Sequence, residues 1–148
     1  MTEFACEPVW TLWDEVLPLL REHWQEVARF KDIPLNPAIE KYNAMAEVGL
    51  FKTYTARDSG ELVGYAAYFV APNMHYQSSL QATQDVIFLR ETHRKGMTGY
   101  RLIKYADEQL KQIGVEVVYH HVKEKLDFGL LLMRLEYQPV ERIWARRL

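Results

Sequence analysis

Residues 50–70, LFKTYTARDSGELVGYAAYFV, hold two runs rich in β-branched and aromatic residues on either side of Asp58-Ser59-Gly60. Runs of this kind around a short glycine-containing turn specify a β-hairpin. Two antiparallel strands cannot stand alone in water, so the rest of the chain must extend and cover them. A third run, SLQATQDVIFL from Ser79 to Leu89, follows a loop that holds His75 and Tyr76. VEVVYHHV, Val115 to Val122, and the closing ERIWARRL read as two further strands. Between the third run and VEVVYHHV, apolar Leu102, Ile103, Ala106, Leu110 and Ile113 fall on one face of a helix that closes at Gly114.

Helical spacing also appears ahead of the hairpin. Val9, Leu12, Trp13, Val16, Leu17, Leu20, Trp24 and Val27 recur at three- and four-residue intervals. Pro18 is expected to delay or kink that helix. Asn36-Pro37 reads as an N-cap followed by proline in the first helical position, opening a second helix that ends near Gly49. RFKDIPL between the two reads as an exposed loop, and Phe128 to Leu135 as a short helix. Antiparallel strands, a crossover helix and a parallel strand make a mixed α/β sheet.

Composition narrows the classes. A chain of 148 residues is the size of one domain with a proper core, so residues 1–148 are expected to form a single unit. The hydrophobic share of 49% and charged share of 26% belong to a globular protein. Aromatic residues at 13% favour a well-filled core or a substrate cleft. The net charge of -2 gives no global attraction to nucleic acid or to an anionic membrane. Arg142, Arg146 and Arg147 lack an aromatic stacking platform, so a nucleic-acid partner is not expected. Cys6 is the only cysteine, which excludes an intrachain disulfide and a cysteine-based zinc site. No apolar run approaches the roughly 20 residues of a membrane span, and MTEFACEPVW lacks the pattern of a signal peptide, so the expected location is cytoplasmic.

The chemistry concentrates at the junction HRKGMTGYRLIKYADEQLKQIGV. A strand runs into Arg94-Lys95-Gly96-Met97-Thr98-Gly99 and then into a helix. Free N–H groups at that helix start, glycines that permit close approach and the neighbouring cations suit a phosphate or pyrophosphate. On local grounds alone, Gly96 and Gly99 equally suit a tight strand-to-helix turn. Neither a P-loop lysine nor a three-glycine dinucleotide fingerprint is present.

The order of elements and the stretch Arg94–Gly99 resemble the GCN5-related N-acetyltransferases, whose pyrophosphate signature is Arg/Gln-x-x-Gly-x-Gly/Ala at this junction. Arg94 and Gly99 match its ends, Met97 stands at the middle glycine, and Gly96 lies one position earlier. The resemblance covers nearly the whole chain, including ELVGY, LIKYADEQLKQIGV and MRLEYQPVERIWARRL. HYQSSLQATQDVIFL and RKGMTGYRLIKYAD look like a subgroup met in bacteriophage and prophage genomes.

The resemblance implies a mostly antiparallel sheet with a parallel splayed strand pair and helices on both faces. It implies acetyl-CoA as donor and a primary amine, on a small molecule or a protein, as acceptor. Amides from Lys95 to Gly99 would hold the pyrophosphate. The backbone around Leu89 would pair with the pantetheine, and an N–H there would stabilise the developing oxyanion. It also places the acceptor against the first two helices and their loop, ARFKDIPLNPAIEKYN, opposite His75 and Tyr76, where Asp32 and Glu40 could attract a cation.

An alkylamine with a pKa of about 10.4 must lose a proton before it attacks. Period-two alternation puts Gln81, Thr83, Asp85, Ile87 and Leu89 on one face, so Asp85 points to the same side as Leu89 and is the first candidate base. A structural carboxylate at the sheet surface is an equal reading of Asp85. His120 and His121 face opposite sides of their strand, so one of them should look into the cleft. No third ligand is suitably spaced for a metal. In many family members a tyrosine ahead of the last strand protonates the departing thiolate, and Leu132 occupies that place. Tyr76, Tyr119 or water are the substitutes. Met97 and Leu132 favour the alternative of a non-catalytic binding module on the same fold. The last strand is a candidate for pairing across a homodimer.

Overall fold

The computed structural model describes residues 1–148. Five strands lie in the order of the chain, β1 (Thr2–Cys6), β2 (Phe51–Asp58), β3 (Glu61–Pro72), β4 (Leu80–Leu89) and β5 (Val117–Tyr119). The first four are antiparallel to their neighbours, and β5 runs parallel to β4. Four helices complete the fold: α1 (Trp13–Val27), α2 (Ile39–Glu47), α3 (Thr98–Gln112) and α4 (Gly129–Arg134).

The hairpin forms where the sequence puts it. Ser59 and Gly60 both take positive φ, 52° and 84°, as a two-residue turn that matches strand twist requires. One face of the sheet packs Tyr54, Ala66, Tyr68, Val70 and Ala82 against Leu102, Ala106 and Leu110 of α3. The opposite face packs Leu62, Tyr65 and Phe88 against Leu12, Val16 and Leu19, and Phe51 and Ala67 against Val9, with Tyr42 and Met45 of α2 alongside. The α3 stripe read from the sequence is the buried stripe, apart from Ile113 beyond its end.

Four expectations are corrected. Pro18 lies inside α1 and does not delay it. Its interior cost, about 3 kcal/mol, is offset by burying Val16 and Leu19 on the sheet. α2 starts at Ile39, with Ala38 at the cap and no side-chain capping bond, so Asn36 is not an N-cap. β5 ends at Tyr119, three residues short of Val122. ERIWARRL is not a strand, and Trp144 is 87% exposed. In a strand, Ile143 and Trp144 would face opposite sides, each set mixed with arginine, so neither face offers a stripe to bury.

β1, which pairs along the end of β2, carries no sequence signal of its own. Five residues with an alternation broken by exposed Glu3 and Cys6 are too few for periodicity to register. No helix is long and apolar enough to cross a membrane.

Candidate active site

β4 is not regular. Ala67 of β3 pairs with Val86, but the next β3 residue, Tyr68, pairs with Gln84, so Asp85 is an extra residue in a β-bulge. The bulge resets the alternation. Ala82 and Leu80 before it, and Ile87 and Leu89 after it, pack on the α3 side, while Asp85, Val86 and Phe88 face α1 and α2. The expectation that Asp85 and Leu89 share a face is therefore wrong, because a period of two does not survive an inserted residue.

Past the bulge, β4 also loses its other neighbour. β5 pairs only with Gln81, Ala82 and Thr83, so the edge of β4 from Gln84 to Leu89 is open. Arg90 N donates to Val63 O at 2.9 Å, which fixes the phase of the β3–β4 ladder. The N–H groups of Ile87 and Leu89 consequently point away from β3, into the opening between β4 and β5. Leu89 can approach β3 so closely because residue 64 is glycine: a Cβ there would stand 2.7 Å from Leu89 Cδ1.

The loop after β4 presents a run of free donors. The first backbone bond of α3 is Arg101 N to Met97 O at 2.9 Å, and the amides of Lys95, Gly96, Met97, Thr98, Gly99 and Tyr100 donate to no backbone acceptor. Helix N-termini with free amides and a positive dipole end are anion sites. Gly96 supplies the left-handed step, φ 105°, while Met97 has φ -105°, which any residue can adopt. Methionine in place of the middle glycine thus leaves the backbone of the cradle intact. Lys95 is exposed and makes no ion pair. Arg94 is otherwise engaged: its Nε donates to Leu89 O at 2.7 Å, and one terminal nitrogen reaches both Glu26 oxygens at 2.8 and 2.9 Å. Its guanidinium also lies over the Phe88 ring, 5.5 Å from the centroid, so Arg94 braces α1 against the end of β4.

On the α1 and α2 side lies a cavity of about 450 Å³. Trp13, Leu20, Trp24, Phe30, Leu35 and Phe51 give it apolar walls, and Asp85 is its one acidic residue. Tyr42 of α2 donates to Asp85 Oδ2 at 2.8 Å. Desolvation by the surrounding protein raises the Asp85 pKa, opposed by the Tyr42 hydrogen bond and by His121 nearby. Thr53 and Tyr65 line the same cavity, are 4% and 1% exposed, and have hydroxyls without a hydrogen-bond partner. The loop read as simply exposed, RFKDIPL, contributes Phe30, Ile33, Pro34 and Leu35 to the wall.

The two histidines separate as strand neighbours should. His121, exposed, lies on the Asp85 side. His120 turns to the α3 side, between Tyr68, Phe128 and Tyr137. Gln84 Oε1 accepts from His121 N at 3.1 Å, so it must also accept from His120 Nδ1 at 3.2 Å, leaving Nε2 to accept from Tyr68 OH at 3.4 Å. Burial holds the His120 pKa down to about 4, and the ring is neutral at pH 7. Tyr119 shares an open polar recess with Asn73, Thr83, His121 and Glu141. Tyr76 is exposed in a turn capped by Asn73, and Leu132 is buried. Asp32 is paired with Arg147 at 3.1 Å, and neither it nor Glu40 lines the cavity.

No family model matches the sequence, and no curated protein matches it. Solved structures do. The fold is similar to a GCN5-related N-acetyltransferase from Ralstonia eutropha JMP134, with TM-score 0.77 and 13% identity over 99% of both chains. The chain has the fold of the GCN5-related N-acetyltransferases. It is also similar to a predicted acetyltransferase with acetyl-CoA from Clostridium acetobutylicum, TM-score 0.74 and 11% identity over 99% of this chain and 96% of that one. An aminoglycoside acetyltransferase from an uncultured soil metagenomic sample, in complex with sisomicin, matches with TM-score 0.70 and 16% identity over 99% and 96%. Within that acetyltransferase fold, the β4–β5 opening and the cavity of this chain meet at the bulge.

Proposed function

We propose that the chain is an acetyl-CoA-dependent N-acetyltransferase that acetylates a primary amine by direct attack in a ternary complex. The observation that carries this reading is the run of six unpartnered amides, Lys95 to Tyr100, at the end of a strand whose edge is open from Gln84 to Leu89. Such a cradle fits a pyrophosphate, and the open edge fits an extended chain carrying amides. The similar Clostridium acetobutylicum structure is described with acetyl-CoA, and the soil aminoglycoside enzyme with an amine-bearing ligand, which supports both halves of the reading. The finer resemblance to a phage-associated subgroup rests on the wording of the motifs alone.

Acetyl-CoA bound along that edge supplies a thioester whose C–S bond breaks, its electron pair leaving on sulfur, as the amine nitrogen forms the new C–N bond. Asp85 takes the proton that the amine must lose; its side chain is exposed, but the partial desolvation on its protein side raises its pKa and makes it a better base than an aspartate at the ordinary value. Tyr42 orients the carboxylate through its 2.8 Å hydrogen bond. The Leu89 N–H, turned into the opening, donates to the oxygen on which charge develops. Leu132 offers no acidic proton, so the departing sulfur takes one from water. The reading assigns no base role to His120, whose ring is enclosed among Tyr68, Gln84 and Tyr137 on the α3 side.

Calorimetric titration with acetyl-CoA tests this reading, with CoA and ATP as comparators. One-to-one binding of acetyl-CoA and CoA, weakened by Lys95→Glu, is expected. Binding of neither, or binding indifferent to that charge reversal, overturns the site. CoA binding without release of CoA from acetyl-CoA in the presence of any amine would leave a binding module on the same fold.

A further inference from the structure

The cavity beside Asp85 has a composition that the acetyl-transfer reading does not by itself explain. Its volume, about 450 Å³, is in the range of small-ligand sites. Its walls come from five separate parts of the chain: the turn before α1, α1 itself, the loop to α2, α2, and the sheet. Trp13, Trp24, Phe30, Tyr42 and Phe51 put ring faces or edges on it. Packing alone would draw such rings together until the space closed, because an unfilled apolar void forfeits dispersion contacts. Here it stays open.

The sheet wall supplies Asp85, Tyr65 and Thr53 as polar side chains. Asp85 projects from the bulge, and Tyr65 lies near enough for the carboxylate charge to raise the phenol pKa further, after desolvation. Tyr65 OH and Thr53 Oγ1 are buried with no partner. A buried hydroxyl without a hydrogen bond costs stability; both oxygens lie just beneath the cavity lining, closed to water, so a ligand that parts the side chains over them gains a bond that water does not make. No second carboxylate lines the space, and the one cationic residue on it is Arg29, exposed at the rim.

We propose that the acceptor is a small primary amine borne on an aromatic or similarly flat apolar body, its nitrogen at Asp85 and its body between Trp13, Trp24 and Phe51. This rests on the acetyltransferase reading for its chemistry, but the cavity and its two unpartnered hydroxyls stand independently of it. The ammonium donates hydrogen bonds to the Asp85 carboxylate and the Tyr65 hydroxyl oxygen, and it is Asp85 that takes the proton. Thr53 Oγ1 meets one polar substituent on the body. A polycationic or many-hydroxylated amine is disfavoured, because most of its donors would be buried against hydrocarbon with no acceptor.

The test is a comparison of CoA release from acetyl-CoA with phenethylamine, tryptamine, spermidine and an aminoglycoside, together with titration of the intrinsic tryptophan fluorescence by phenethylamine in the absence of acetyl-CoA. Of the four tryptophans, two, Trp13 and Trp24, line the cavity. Three variants accompany the parent chain. Ala28→Trp fills the cavity from the end of α1. Tyr65→Phe and Thr53→Val remove the hydroxyls while keeping shape. Expected are a kcat/KM for the aromatic amines at least about tenfold above that for the polar ones, its loss in Ala28→Trp, and a fall in the two hydroxyl variants with no loss of melting temperature. A residue with a merely structural hydroxyl would not give a lower kcat/KM at equal or higher stability. Acetyl-CoA binding with turnover of spermidine or the aminoglycoside, and none of the aromatic amines, overturns this proposal and leaves the acetyltransferase reading standing. No acetyl-CoA binding and no turnover sinks the acetyltransferase reading instead. The fluorescence titration then decides: saturable phenethylamine binding lost in Ala28→Trp upholds an apolar-amine site, and its absence in the parent chain overturns it.

Discussion

In the proposed reaction Asp85 is the base, and Tyr42 is its one hydrogen-bonded side-chain partner. Desolvation raises the Asp85 pKa and the Tyr42 hydrogen bond lowers it. As a base Asp85 must be ionised, so activity falls as pH drops through its pKa. Tyr42→Phe removes the stabilising donor, and the acid limb of kcat/KM should move to higher pH while acetyl-CoA affinity holds. An acid limb that stays in place shows that Tyr42 does not act through Asp85. Asp85→Asn should lower kcat by about 10²–10⁴-fold, the usual worth of a positioned base, and flatten that limb. The sequence made Asp85 visible as a carboxylate in a strand, yet not where it pointed. Alternation is a local rule, whereas the bulge depends on how β3 pairs opposite it, through Ala67 and Tyr68. Tyr42, Thr53 and Tyr65 carried no signal at all, since a tyrosine or threonine on an amphipathic element reads as core until its neighbours from other elements are known.

Among the elements, the β4–α3 junction gives its neighbouring cations Arg94 and Lys95 different tasks. Arg94 is spent on Glu26 and Leu89 O, bracing α1 against the strand. Lys95 is exposed, makes no ion pair and stands beside the free amides that the proposed reading gives to the pyrophosphate. Arg94→Glu should therefore lower the melting temperature by setting a carboxylate against Glu26. Lys95→Glu should leave the melting temperature unchanged and weaken acetyl-CoA about tenfold, as loss of one charge-assisted contact does. Thermal unfolding and calorimetry on both variants check the division, and equal effects on both readouts would refute it. The hairpin, α3 and its glycine stop were legible because each has a local cause: turn residues, a buried stripe, an αL cap. The closing strand was misread because its residues have strand propensity but no one-sided face, and propensity without burial does not hold a strand.

The whole molecule carries a compensated titration on its α3 side. Tyr137 OH donates to Asp107 Oδ1 at 2.6 Å, and the Tyr137 ring packs on His120 at 5.1 Å. Burial raises Asp107 to about 6 and lowers His120 to about 4. As pH falls from 6.5 toward 4, the unfolded chain protonates His120 and the native chain does not, so stability is lost. Over 6 to 4, the native chain protonates Asp107 before the unfolded one does, so stability is gained. The two contributions oppose each other between about 4 and 6. Asp107→Asn should expose the histidine term, with stability relative to the parent falling by up to about 1.4 kcal/mol per pH unit across that window, by urea unfolding. A difference that does not change with pH would show that the network is not compensated. The opening in the sheet has a dynamic counterpart. β4 pairs with β3 from Leu80 to Leu89 apart from the bulge, but β5 joins the sheet ladder through Gln81–Thr83 alone, so residues 115–148 are held mainly by side chains such as His120, Leu132 and Tyr137. Hydrogen exchange should find that segment opening at lower free energy than β1–β4, as a separate cooperative unit. A ligand that pairs with the bare edge of β4 and reaches across to β5 supplies the missing rungs, and saturating acetyl-CoA should slow exchange in α4 and β5, well beyond the atoms it touches. The donor would then be a temporary strand of the sheet, and each turnover would unfasten the molecule along the same line.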